Sequence, residues 1–387
     1  MPMPDRKSPW GTPAESTDAN KVQLLVAGKL HDDWESYEVD SDLMTPADAW
    51  RVTVGLRGNT LPADVFAGQE ITLRVGDDVV LTGRIDEVED SVDKRAHTLA
   101  ISGRDGAAIL VDCSAPIFTA QQVDLAAVVA KVVRPLGIGK IRIDADTTYT
   151  RDKINVEPGD TAWAALQNAA EANGLWPWFE PDGTLVVGGP DYTKPPVADL
   201  VMRTSGKGNN LLSLSRRRSI HPRYSQVTVL GQAHGTALET GKNNIKQTAE
   251  DTGVGWHRPR VVVDHESDSN AIALARARKL ISDGRVAGFA LTARVKGHRI
   301  NAPGAPGDGK LWQPGQRLRV LSEPHGIDGV YFLIARTFSG GRDAGATTSL
   351  KLIEDGAWVL DAHPHKRKHR RGKNSAPGQI IDLTAPA

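Results

Sequence analysis

The chain has 387 residues, a single cysteine, and 47 lysines and arginines against 47 aspartates and glutamates. Single cores stop growing at roughly 250–300 residues, so two to four domains are expected. The charge balance argues against a protein held to nucleic acid or lipid by whole-body attraction, and a lone Cys113 excludes an intrachain disulfide or a cysteine-based metal site within one subunit.

Residues 1–20 are rich in proline and polar side chains and are expected to be disordered, because they bury too little apolar surface to offset ordering entropy. They lack the basic start and apolar core of a secretory signal, and no run reaches the roughly 18–20 apolar residues of a membrane span. A soluble chain folding in a reducing cytoplasm, without membrane insertion, is the expectation.

From Lys21 to about residue 115 the hydrophobic pattern has period two. Trp50, Val52 and Val54 alternate with Arg51 and Thr53, and Ile71, Leu73 and Val75 with Thr72 and Arg74. Gly76-Asp77-Asp78 punctuates a hairpin into Val79-Val80-Leu81, and Leu99 and Ile101 mark a further strand. These short strands predict a first β-barrel-like domain over 21–115.

The period changes next. Leu125, Val128, Val129, Val132, Val133 and Leu136 fall on one helical stripe, with Asp124 as cap and Gly137 as stop. Around 156–190 a second helix carries Trp163, Leu166 and Ala170, with Asp160 as its cap and Gly174 as its stop. Trp176, Trp178 and Phe179 then lead through Pro181-Asp182-Gly183 into Leu185-Val186-Val187, a hairpin. A mixed α/β domain over 116–200 follows from this pattern.

A second β-barrel-like domain is predicted over 201–358, with a helix-containing insertion at about 233–284. Within it, the polar stretch Ala233 to Gly255 reads as an excursion, Ala271 to Ile281 as a helix stopped by Gly284, and Phe289, Leu291, Ala293 and Val295 as a clean strand. The fold class is therefore α+β, mainly β. Gly68-Gln69 and Gly315-Gln316 each precede an alternating strand, an echo that internal duplication or chance would produce equally well.

Chemistry-bearing motifs are absent. There is no Gly-x-Ser-x-Gly elbow, no His-Glu-x-x-His, and no phosphate-loop Gly-Lys-Ser/Thr. Gly137-Ile138-Gly139 reads as a helix-stop loop and Asp77-Asp78 as a solvated turn, since adjacent carboxylates in a strand point to opposite faces. Cys113 reads as a small buried thiol. No catalytic, metal or cofactor residues are nominated, and no enzyme activity is expected.

Two basic clusters are the candidate partner-binding residues. Arg216, Arg217 and Arg218 form one, more often a solvated strand edge than a site. The other is a tail over 359–387, expected to be disordered, where Lys366, Arg367, Lys368, Arg370, Arg371 and Lys373 sit beside His363, His365 and His369. A solvated basic tail is expected rather than a metal site, because its cations would repel a metal; six cations in eight positions also motivate the hypothesis that it contacts an acidic protein surface or nucleic acid.

Taken together, Leu61-Pro62-Ala63-Asp64-Val65-Phe66, Gly68-Gln69, Leu81-Thr82-Gly83-Arg84-Ile85-Asp86 and Ile101-Ser102-Gly103-Arg104-Asp105 resemble the baseplate hub proteins of Mu-like contractile phages. The segment Val156 to Asp191 and the run Arg223-Tyr224-Ser225-Gln226-Val227-Thr228-Val229-Leu230-Gly231-Gln232 fit the same family, which is similar to the T-even phage hub and the hub region of type VI secretion spikes. The resemblance implies a structural homotrimer of the virion's tail baseplate, assembled in the host cytoplasm. It further implies two similar barrels per subunit that adapt a sixfold tail tube to a threefold central spike. Tube, spike and baseplate wedge proteins, and the tape-measure protein, are its expected partners. A competing reading comes from Val156-Glu157-Pro158-Gly159-Asp160-Thr161-Ala162-Trp163, which resembles the opening of a LysM glycan-binding repeat. With exposed tryptophans, it would make the chain a peptidoglycan-binding or lysin module of the tail.

Overall fold

The computed structural model describes residues 19–55, 64–94, 97–116, 119–123, 125–145, 151–155, 159–171, 175–233, 242–264, 267, 270–342, 344–358 and 379–382. The first unit is all β: β1 (Val22–Val26), β2 (Lys29–His31), β3 (Ser36–Asp42), β4 (Ala49–Gly55), β5 (Glu70–Val75), β6 (Asp78–Val92) and β7 (His97–Asp105). Its strands run antiparallel in the order β3-β4-β7-β6-β5-β1-β2. The period-two residues Trp50, Val52, Val54, Ile71, Leu73 and Val75 all face the core. Gly76, with φ +58, permits the tight β5–β6 turn.

The middle unit comprises α1 (Ala108–Asp112), β8 (Thr119–Val123), α2 (Leu125–Val133), β9 (Ile141–Ala145), β10 (Arg151–Asn155), α3 (Ala162–Glu171), β11 (Trp176–Phe179) and β12 (Leu185–Gly188). The α2 stripe is buried against α3, and Gly137 takes the left-handed stop at φ +86 after a 3₁₀ turn over Arg134–Leu136. The expected cap at Asp124 and stop at Gly174 lie outside the described residues. On α3 the cap is Thr161, whose Oγ1 accepts the Ala164 N–H at 3.1 Å, one residue beyond the expected Asp160. Cys113 is half-buried rather than enclosed, because it follows α1 at a surface bend.

The remainder holds β13 (Ala198–Met202), β14 (Leu211–Arg218), β15 (Gln226–Ala233), β16 (Lys242–Glu250), β17 (Pro259–Val263), α4 (Asn270–Gly288), β18 (Phe289–Lys296), β19 (Arg317–Ser322), β20 (Ile327–Gly341), β21 (Thr347–Glu354) and β22 (Gln379–Asp382). Part of the predicted polar excursion is strand β16, paired with β15, whose Ile245 and Ala249 reach the core under α4. Two apolar positions in nine residues leave too little pattern to show a strand. Helix α4 passes through Gly284 to Gly288. A Cβ at Gly284 would lie 2.7 Å from the Pro222 carbonyl oxygen, so that glycine serves close packing and not termination. Within the tail expected to be disordered, β22 pairs antiparallel with β9, where Ile380-Ile381 supplies the β-branched preference.

Strands β14-β18-β21-β20-β19-β13 form a second six-strand unit in the same continuous sheet as the first, joined where β20 pairs with β3. Five strands repeat in order and direction, β14-β18-β21-β20-β19 matching β3-β4-β7-β6-β5, whereas β13 runs parallel to β19 and β1 antiparallel to β5. Strands β5, β6 and β7 have 6, 15 and 9 residues, and β19, β20 and β21 have 6, 15 and 8. In both, the long strand carries a bulge, at Ile85/Glu87 on β6 and at Leu333/Ala335 on β20. Repeated bulges at repeated places are a mark of duplication, which the Gly-Gln echo alone left open.

Candidate assembly surfaces

The seam between the two units is built on backbone pairing. Residues Ala335–Gly341 of β20 lie antiparallel to Asp42–Ser36 of β3, with Phe338 opposite Val39 and Arg336 opposite Ser41. Arg336 is buried there. Its Nη1 donates to the Val39 carbonyl at 2.9 Å and its guanidinium lies 3.9 Å from the centre of the Phe338 ring. Burial pulls its pKa down to about 10, opposed by the charges of Asp48 and Asp40. His298 completes the seam, sharing hydrogen bonds with the Tyr37 hydroxyl at 2.8 Å and the Thr348 hydroxyl at 3.1 Å.

The loop over 42–48 ties three units together. Asp48 accepts the Asp42 N–H at 2.9 Å, Leu43 donates its N–H to the Ile334 carbonyl at 3.0 Å, and the Leu43 carbonyl accepts the Trp176 indole N–H at 2.6 Å. Next to it, Asp105 accepts the Ala107 N–H at 2.9 Å, starting the turn into α1. Burial drives the Asp48 carboxyl up to about 6, against hydrogen bonds from Ser41 and the Asp42 N–H. Burial, then the nearby Asp48 charge, drives Asp105 well above the carboxylate range. Sequence reasoning passed over this cluster. Its only signal was a lone Arg336 after the apolar run Phe332-Leu333-Ile334-Ala335.

The tryptophans expected on the surface are packing residues. Trp176 is buried and meets Trp358 edge-on at 6.2 Å between ring centres, and half-buried Trp178 packs against the same cluster, which includes Phe332 and Ile334. This is the contact between the middle unit and the second β unit. Trp176 offers no open face to a sugar, and Trp178 is only partly exposed.

The β15–β17 sheet and α4 are held to the chain around Asp251, a carboxylate buried between two arginines. Arg223 donates from Nε and Nη2 to Oδ2 at 3.0 and 2.7 Å, and Arg285 to Oδ1 at 3.1 and 2.8 Å. Burial raises this carboxyl, but the arginine and Gly253 N–H hydrogen bonds outweigh it and hold the pKa at about 2.

Of the nominated cations, Arg216, Arg217 and Arg218 lie on β14, which pairs only with β18 among the described residues and is an edge strand. Arg216 donates to the His325 carbonyl at 2.9 Å and Arg217 to the Ala287 carbonyl at 3.3 Å. Lys366, Arg367, Lys368, Arg370 and Arg371 lie outside the described residues.

Four family models match in sequence order. Residues 21–105 match the Mu phage baseplate assembly protein GpP-like N-terminal domain, and 107–189 the baseplate hub protein gp44-like second domain. Residues 223–281 match the tail protein NMB1110-like third domain, and 283–357 the C-terminal domain of such tail proteins. The baseplate hub protein gp44 of Escherichia phage Mu is 25% identical over 375 residues, covering 93% of this chain and 94% of that one. A tail protein from Neisseria meningitidis MC58 superposes with a TM-score of 0.78 at 38% identity, over 89% of this chain and 99% of that one. The 43 kDa tail protein of prophage MuSo2 from Shewanella oneidensis gives 0.76 at 25% identity, over 87% and 99%. With four domains matched in order and a relative at 38% identity covered almost end to end, the chain belongs to the baseplate hub family of Mu-like phage tail proteins.

Proposed function

We propose that the chain is a structural hub subunit that assembles as a homotrimer at the centre of a contractile-tail baseplate and joins a sixfold tail tube to a threefold central spike. The observation that carries this reading is the duplication. Two units with the same five-strand order, equal lengths in β5/β19 and β6/β20, the same bulge and the same Gly-Gln turn give each chain two similar surfaces, so three chains present six. The middle unit and the β15–β17 unit occur once per chain and keep the threefold character that a spike requires. No chemical step is needed for such a role. Trp176 and Trp178 stand in the packing between units, so the peptidoglycan-binding alternative loses the platform on which it depended.

Light scattering on the purified chain tests the reading. A mass of three subunits that persists on dilution to the micromolar range is expected, and a stable monomer would refute it.

A further inference from the structure

The duplication leaves one seam formed and one open. On β20, the edge away from β21 holds β19 along Ile327–Phe332 and then β3 along Ala335–Gly341. On β6, the matching edge holds β5 along Asp78–Arg84, and its continuation over 87–92 has no strand partner among the described residues. The counterpart of β3 is also identifiable. Ile85 pairs with Gly103, Gly103 with Trp50, and Trp50 with Val39; in the second unit Leu333 pairs with Leu352, Leu352 with Leu291, and Leu291 with Arg216. Val39 and Arg216 are therefore equivalent, and β14 is the second unit's β3. Its outer edge has no strand partner among the described residues either.

We infer that β14 of one copy adds to the free edge of β6 in a second copy of this chain, reproducing between subunits the β20·β3 seam formed within each. This rests on the hub reading and names its contact. The register follows from the formed seam, where Phe338 faces Val39 and Thr337 faces Asp40. Transferred, it sets Arg216 opposite Asp90 and Arg217 opposite Glu89, and brings Leu214 onto Val92, which is 70% exposed in the single chain. Charge complementarity thus arises at the two central pairs of a register fixed by backbone equivalence alone. It also selects against the wrong pairing. Two β14 edges, or two β6 edges, would set like charges opposite each other, so only the head-to-tail contact that closes a ring is favoured.

The test is disulfide trapping in the full-length chain with Cys113→Ser. Asp90→Cys with Arg216→Cys, and Glu89→Cys with Arg217→Cys, sample neighbouring pairs, one of which has the closer, non-hydrogen-bonded spacing. At least one double variant is expected to give covalent oligomers on mild oxidation, and no single variant should. As a second measure, Arg216→Glu with Arg217→Glu should raise the subunit dissociation constant at least tenfold, and adding Glu89→Arg with Asp90→Arg should restore it. Trimers in which neither pair crosslinks and charge reversal has no effect would overturn the seam and leave the hub reading standing. Crosslinks in open chains of variable length would keep the seam and refute the trimeric hub. A monomer that never crosslinks would refute both.

Discussion

Ile85 and Leu333 hold the same position in the two β units. The Ile85 carbonyl accepts the Gly68 N–H at 2.7 Å and its N–H donates to the Gln69 carbonyl at 3.0 Å; the Leu333 carbonyl accepts the Gly315 N–H at 2.8 Å and its N–H donates to the Gln316 carbonyl at 2.9 Å. Each glycine is left-handed, at φ +92 and +90. The pair of turns pins each long strand just before its bulge, and on β20 this marks where the strand passes from β19 to β3.

Gly68→Ala and Gly315→Ala should therefore destabilise to a similar degree, by about 1–2 kcal/mol each, from backbone strain and not from crowding, since a methyl group at either position would meet no other atom within 4 Å. Thermal unfolding of the two variants measures this. A much larger loss at only one site would break the equivalence.

The Asp48–Asp105 cluster gives a pH dependence with a definite sign. Both carboxyls have folded pKa values raised above the unfolded ones, Asp48 to about 6, so the protonated forms favour the fold. The Asp48 contribution is fully present below about pH 4 and is lost as pH rises through 6. Between pH 4 and 7, urea titrations of Asp48→Asn should show a flatter stability profile than the parent chain.

Asp251 acts in the opposite sense. Its pKa, held at about 2, lies below the unfolded value, so its stabilisation is present above about pH 4 and fades as pH falls through 2. Asp251→Ala leaves Arg223 and Arg285 facing each other without a counter-charge. Because both arginines are partly exposed, the expected loss is about 2–3 kcal/mol, below that of a fully buried pair. Hydrogen exchange should show the loss concentrated in β15, β16 and α4.

Trp176→Ala should cost about 3–5 kcal/mol by opening the contact with Trp358 and Phe332, whereas Trp176→Phe should cost only about 1–2 kcal/mol by removing the hydrogen bond to Leu43. Calorimetry distinguishes the two. A peptidoglycan pull-down with the parent chain should retain nothing.

Much of the fold was legible because it depends on local alternation. Trp50, Val52 and Val54, or Leu125, Val128 and Val129, carry their own periodicity, and each falls on a buried face. What escaped depends on partners distant in the chain. Strand β16 has too few apolar residues to declare itself, and Gly284 looks like a helix stop until Pro222 is seen against it. Trp176 and Trp178 look like binding residues until Trp358 and Phe332 are placed beside them. The candidate surface was half legible: Arg216-Arg217-Arg218 stood out as charge, but the seam proposed for it rests on a register that only the repeated β unit supplies.

The most direct test of the central claim is a set of negative-stain class averages viewed down the symmetry axis of the purified particle. Six similar lobes around a central opening are expected, two from each of three chains. A particle with three lobes and no sixfold inner ring would contradict the account.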